Sequence, residues 1–101
     1  MNYKEKYLTV RELRESINSL DSSFDDHIVI LSKDSEGNQY KAVNKDDFLY
    51  TNYKFIPDHN QWTGEVVIKE LTDILIEQGY TEQDLTDDKS AIDCIVLYPI
   101  D

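Results

Sequence analysis

Apolar residues fall at Val10, Leu13, Ile17 and Leu20, steps of three, four and three that line up on one stripe of an α-helix. Arg11, Glu12, Arg14, Glu15 and Asn18 take the remaining faces. Just ahead, Thr9-Val10-Arg11-Glu12 matches a capping box, in which the Thr hydroxyl and the Glu carboxylate each satisfy a free backbone N–H. Asp21-Ser22-Ser23 ends the helix. The period then shortens. Residues 27–32 (His-Ile-Val-Ile-Leu-Ser) are few, apolar and mostly β-branched, and predict a buried strand. Residues 33–38 form a polar turn containing Gly37-Asn38, and 39–43 return as a second strand. The pair predicts a β-hairpin with a loop longer than the tight two-residue kind.

A third strand is expected over 48–56, with a break in its alternation. Phe48 and Tyr50 share one parity, whereas Tyr53 and Phe55 share the other. Either the strand carries a bulge near Thr51-Asn52, or two short pieces meet at a bend. Residues 57–64 are the clearest loop. A second helix is expected over about 66–78, with Val67, Leu71, Ile74 and Leu75 as its core face and Gly79 closing it. The run Val66-Val67-Ile68 also fits the end of a strand, so the start of this helix stays open. Thr81-Glu82-Gln83-Asp84 caps a further short turn. Residues 91–98 are almost continuously apolar, end at Pro99, and suit the centre of a sheet.

The resulting order, α-β-β-β-α-β, predicts one small α+β domain over residues 1–101. Its sheet has about four strands, includes a hairpin, and carries two helices packed on one face. With 101 residues the chain is the size of one domain. Its 40% hydrophobic content and its seven Tyr, three Phe and one Trp set it apart from acidic disordered chains. One cysteine, Cys94, excludes an internal disulfide and most cysteine-based metal sites, and fits a reducing cytoplasm. The leading segment, Met1 to Tyr7, lacks the apolar run of a signal peptide, and no stretch is long enough to span a membrane.

Charge changes the picture most. Residues 1–54 hold ten acidic and eight basic side chains, and residues 55–101 hold eleven and two, so −9 of the net −11 lies in the C-terminal part. Such a surface repels nucleic acid and anionic lipid and attracts a basic partner. The carboxylates that carry this expectation are Glu70, Asp73, Glu77, Glu82, Asp84, Asp87 and Asp88. The first three recur at helical spacing and are expected to share one helix face. A rigid row of carboxylates presents something like the regular negative charge of duplex DNA, whereas the plainer reading is a solvated face that keeps a small protein soluble.

Thr9-Val10-Arg11-Glu12-Leu13, then Ile28 to Lys33 and the turn Asp34-Ser35-Glu36-Gly37-Asn38, resemble a pattern found in small tailed-bacteriophage proteins. Leu71-Thr72-Asp73, Gln78-Gly79-Tyr80-Thr81-Glu82 and the apolar run up to Pro99 resemble the C-terminal pattern of the same proteins; Asp93-Cys94 departs from it. The resemblance implies a phage-encoded protein at work in a bacterial cytoplasm and carries over no catalytic residue. In charge alone, the chain also resembles phage inhibitors that mimic DNA.

Other chemistry is weaker. The Asp34 turn fails the EF-hand template, because glycine stands at its fourth position and Lys45 at its twelfth, so a hairpin turn is expected there instead. His27 and His59 have no zinc-type spacing, and a nucleophilic Cys94–His59 pair requires the fold to join them. Phe48, Tyr50, Tyr53, Phe55 and Trp62 exceed what one face of a thin sheet must bury, so Trp62 with Tyr50 or Tyr53 is a candidate anchor for a partner or a homodimer.

The expectation is therefore a non-enzymatic protein with no cofactor, metal or catalytic residue. Its acidic half binds a basic bacterial host protein, in the sharpest form competing with nucleic acid for that protein's binding site, with Trp62 as the contact. The alternative is a structural or assembly protein that oligomerises through its aromatics.

Overall fold

Local signals and backbone agree at the Thr9-capped helix of the computed structural model, which describes residues 3–100; Met1 and Asn2 of the leading segment lie outside them. The chain divides into two compact units, Met1–Ala42 and Val43–Asp101. In the first, α1 (Tyr3–Lys6) is followed by α2 (Val10–Asn18). The capping box is formed: the Glu12 N–H donates to Thr9 Oγ1 at 3.3 Å, and the Thr9 N–H donates to Glu12 Oε1 at 3.0 Å. A 3₁₀ turn (Ser22–Phe24), capped by Asp21, leads toward the hairpin.

That hairpin joins β1 (Ile30–Ser32) and β2 (Tyr40–Ala42), antiparallel, with Leu31 opposite Lys41. Its turn is built on Asp34, whose Oδ1 accepts the N–H of Glu36 at 3.0 Å and of Asn38 at 3.3 Å. Gly37 takes a left-handed φ of 69° there. β1 is shorter than expected and is not buried: Ile28 is 84% exposed and lies outside it. Apolar character drew the expected strand back to residue 27, but pairing extends only as far as β2 supplies partners.

In the second unit three strands form one sheet. β3 (Leu49–Pro57) is central, flanked by β4 (Gly64–Ile68) and β5 (Ile92–Leu97), both antiparallel to it. A β-bulge interrupts β3. Tyr50 pairs with Val96 and Tyr53 with Cys94, so Thr51 and Asn52 together face Ile95. The extra residue explains the broken alternation, because it returns Tyr50 and Tyr53 to one face. Cross-strand partners share a face. One face therefore gathers Tyr50, Tyr53, Phe55, Val66, Ile68, Ile92, Cys94 and Val96, and the other mixes Ile56, Val67 and Ile95 with Lys54, Glu65 and Asp93.

Three expectations are corrected and one open choice is settled. The strands among the described residues number five, in sheets of two and three, rather than about four in one sheet. β5 is an edge strand, not a central one, since an apolar run does not record how many strands flank it. Residues 66–68 resolve as strand, the alternative left open above, since three β-branched residues and the hairpin partner Phe55 outweigh the helical spacing. The second helix, α3, is only Asp73–Glu77, with Thr72 as its N-cap. Neither α2 nor α3 packs closely on the strands of its own unit, where the close pairings are strand on strand. No described side chain is fully buried.

Gly79 closes α3 as expected, at φ 100°, with its own N–H on the Ile76 carbonyl at 3.0 Å and the Tyr80 N–H on the Leu75 carbonyl at 3.0 Å. This is the Schellman arrangement. Because β4 and β5 run parallel on either side of β3, residues 69–91, including α3 and a 3₁₀ turn (Glu82–Asp84), form a crossover from one edge to the other.

The bulge also anchors that crossover. The Lys69 N–H donates to the Asn52 carbonyl at 3.1 Å, and Asn52 Nδ2 donates to the Glu70 carbonyl at 2.9 Å. Asn52 Oδ1 is buried without a partner. Asn52→Ala loses the clamp but also deletes the orphaned oxygen, for a net cost of about 1 kcal/mol. Asn52→Asp presents an acceptor to the Glu70 carbonyl and destabilises more than Ala does; urea denaturation of both variants checks the order. At the hairpin, a Cβ on Gly64 collides with the Ile56 carbonyl and the Phe55 ring, so Gly64→Ala costs about 2 kcal/mol in the same assay.

Candidate functional site

Each expected carboxylate sits on the crossover. Glu70 follows β4, Asp73 and Glu77 stand at the two ends of α3, Glu82 and Asp84 lie in the 3₁₀ turn, and Asp87 and Asp88 precede β5. The expected row of three on one helix face is not formed. Glu70 precedes the Thr72 cap and is not helical, so only Asp73 and Glu77 keep a helical relation. The only cations on this connection are Lys69 and Lys89. The Lys69 ammonium is drawn to Asp93, 3.5 Å away on β5, in an exposed pair.

Two of the seven carboxylates shape the connection itself. Asp84 Oδ2 accepts the Thr81 N–H at 2.8 Å, completing a second capping box. Asp88 Oδ1 accepts the N–H of Ser90 at 2.8 Å and its hydroxyl at 2.7 Å. The Ser90 hydroxyl, followed by its backbone N–H, holds the Asp88 carboxyl below the ordinary carboxylate value. Glu70, Asp73, Glu77, Glu82 and Asp87 form no such turn.

Trp62 stands at the opposite side of β4, in the loop between β3 and β4. That loop is held by several bonds: Asp58 N–H to the Thr63 carbonyl at 2.7 Å, and Thr63 Oγ1 to Asp58 Oδ2 at 2.7 Å. Asn60 Oδ1 accepts the Trp62 N–H at 2.8 Å, and Gln61 takes a left-handed φ of 67°. Trp62 is 68% exposed, so a fixed loop presents a large aromatic surface to solvent.

Trp62 and Tyr50 are not brought together. Tyr50 opens β3 and Trp62 lies beyond its far end, about 20 Å along the strand. Tyr50 groups instead with Tyr53 and Tyr98, at ring-centroid distances of 6.5 and 5.2 Å, both edge-to-face. The three line a cleft of about 560 Å³ with Asn44, Asp47, Pro99 and Ile100. Asn44 Oδ1 accepts the Asp46 N–H at 3.0 Å, which turns the chain so that Asp47 accepts the Tyr50 hydroxyl. That bond, with burial second, raises the Tyr50 pKa, so the phenol keeps its proton. Sequence reasoning found Tyr50 and Tyr53 but missed Asp47 and Tyr98. The signal was there in outline, since the bulge that rejoins the two tyrosines also sets the register that brings Tyr98 beside them.

Cys94 pairs with Tyr53, whereas His59 lies beyond Pro57, four strand residues and about 13 Å further along. Burial and, secondarily, the Asp93 charge raise the Cys94 pKa, so its sulfur stays a thiol. The fold does not join the pair. Among the described residues, no helix is long and apolar enough to cross a membrane. Compared with family models, curated proteins and solved structures, the chain matches none.

The depressed Asp88 pKa has a definite sign. A carboxyl held below its unfolded value adds stability that is complete above that value and lost as pH falls through the folded one. Ser90→Ala is expected to move the Asp88 midpoint upward toward the ordinary carboxylate value. An NMR pH titration of the Asp88 side chain reads this directly, and an unmoved midpoint assigns the depression to something other than Ser90.

Proposed function

We propose that this is a non-enzymatic interaction protein whose acidic crossover docks on a basic partner, in its sharpest form a nucleic-acid-binding protein of a bacterial host. The observation that carries the reading is placement. All seven carboxylates lie on the single connection 69–91, which offers two lysines against them, one already paired with Asp93. In this reading the protein is phage-encoded, acts in the host cytoplasm, and occupies a site that nucleic acid otherwise fills. Long-range attraction brings the basic surface in, and Trp62 supplies the desolvated contact.

The mimicry takes a particular form. The charges sit on a short helix, a 3₁₀ turn and the links between them, so they make a patch and not a straight rod. A patch competes with DNA by occupying basic side chains, without reproducing the phosphate spacing.

The test uses amide variants that leave the turn-forming Asp84 and Asp88 intact. The tagged chain and a variant carrying Glu70→Gln, Asp73→Asn, Glu77→Gln, Glu82→Gln and Asp87→Asn are compared by capture from nuclease-treated bacterial lysate with a salt-step elution. The parent is expected to retain a basic nucleic-acid-binding protein that moderate salt releases, and the variant to lose most of it. Equal retention by both removes the reading.

A second reading, a structural or assembly protein, draws on one observation: the apolar strand β5 lies at a sheet edge, with no strand on its outer side among the described residues. An open apolar edge is a template for pairing with another chain. A mass by size exclusion that stays at a multiple of the monomer in high salt favours this reading.

A further inference from the structure

The cleft beside Tyr50, Tyr53 and Tyr98 lies on β3, β5 and the segment just before β3, apart from the acidic crossover, and neither reading above uses it. We infer that it receives an arginine side chain, the guanidinium lying against the tyrosine rings and meeting the Asp47 carboxylate. The inference rests on the reading of a basic partner and names a contact residue on that partner.

Four features argue for this occupant. The rings stand edge-to-face, at 82° for Tyr50 with Tyr98 and 69° for Tyr50 with Tyr53, so their faces point in different directions around the cleft. Aromatic faces carry negative potential and attract a cation, a guanidinium most of all because it is flat and weakly hydrated. The lining holds one carboxylate and no cation. Asp47 is exposed and gives one oxygen to the Tyr50 hydroxyl, which leaves lone pairs on the other to take a charged N–H.

Size and charge exclude the obvious competitors. About 560 Å³ accommodates a long side chain together with some of its backbone. An anionic ligand meets Asp47 within a unit (residues 43–101) of thirteen acidic and four basic side chains. A purely apolar ligand desolvates the carboxylate and leaves the oxygen not bonded to Tyr50 without a partner. Lysine fits the charge but not the flat shape, so arginine is the better match.

The test is an NMR titration of the full chain, at constant ionic strength, with N-acetyl-arginine amide. The corresponding citrulline amide serves as the uncharged isostere and the lysine amide as a non-planar cation. Saturable shifts of the Tyr50, Tyr53 and Tyr98 ring signals are expected with arginine, weaker ones with lysine, and almost none with citrulline. Asp47→Asn keeps an acceptor for the Tyr50 hydroxyl while removing the charge, and is expected to weaken arginine about tenfold. Tyr98→Ala is expected to abolish the ring shifts. If citrulline binds as well as arginine, the cleft does not select a cation and the inference is wrong. If arginine shifts only signals within 69–91, or shifts none while the parent still captures a basic protein, the cleft fails alone and the basic-partner reading stands. Capture that fails while the arginine titration succeeds gives the reverse.

Discussion

One extra residue in β3 organises the second unit. Without the bulge at Thr51-Asn52, Tyr53 and Phe55 face opposite to Tyr50, and the sheet has no apolar face that runs its full length. With it, one face collects three aromatic and five aliphatic or thiol side chains, and the charged Lys54, Glu65 and Asp93 go to the other. The same residue, Asn52, holds the start of the crossover through its carbonyl and its amide. A local irregularity therefore sets the tyrosine cleft at one place and the acidic connection at another. The orphaned Asn52 Oδ1 is the visible cost.

A dense set of like charges opposes compaction, and the crossover meets that opposition with local geometry more than with ion pairs. Asp73 and Glu82 stand in the first turns of their elements, where the helix dipole favours negative charge. Asp84 and Asp88 accept backbone N–H groups and so take part in the turns they charge. The exposed Lys69–Asp93 pair adds little by comparison. Charge is thus built into the connection's folding, and Glu70, Glu77 and Asp87 stay exposed without a part in a cap or turn.

How much of this was legible in the sequence depends on how far each determinant reaches. Caps act within four residues, and Thr9, Glu12, Thr81, Asp84 and Gly79 all play the parts their spacing suggests. The parity break at Thr51-Asn52 was legible as a bulge or bend, because alternation is a local record of which face a residue takes. Val66 to Ile68 fit two periods, and the choice fell to a partner strand that periodicity does not contain. The centrality of β5 and the helical row through Glu70 were misread for the same reason: neighbours and element ends are tertiary facts. The tyrosine cleft joins Asp47, Tyr50 and Tyr98 across a register, so composition pointed to surplus aromatics without showing where they meet.

The distribution of burial bears on what these surfaces are for. A three-stranded sheet is near the minimum that stands alone in water, and here no described side chain is fully shielded. Both helices keep apolar residues in solvent, Ile17 on α2 and Ile74 on α3 among them. A fold of this kind gains in stability from anything that binds its native form, by an amount that grows with the logarithm of the ligand's excess over its dissociation constant. Screened, exposed carboxylates supply only part of such a gain, acting strongly on approach and selectivity. Aromatic surface supplies more, since it releases water when covered. Trp62 on its hydrogen-bonded loop and the three tyrosines around Asp47 are where the second unit holds such surface in fixed geometry.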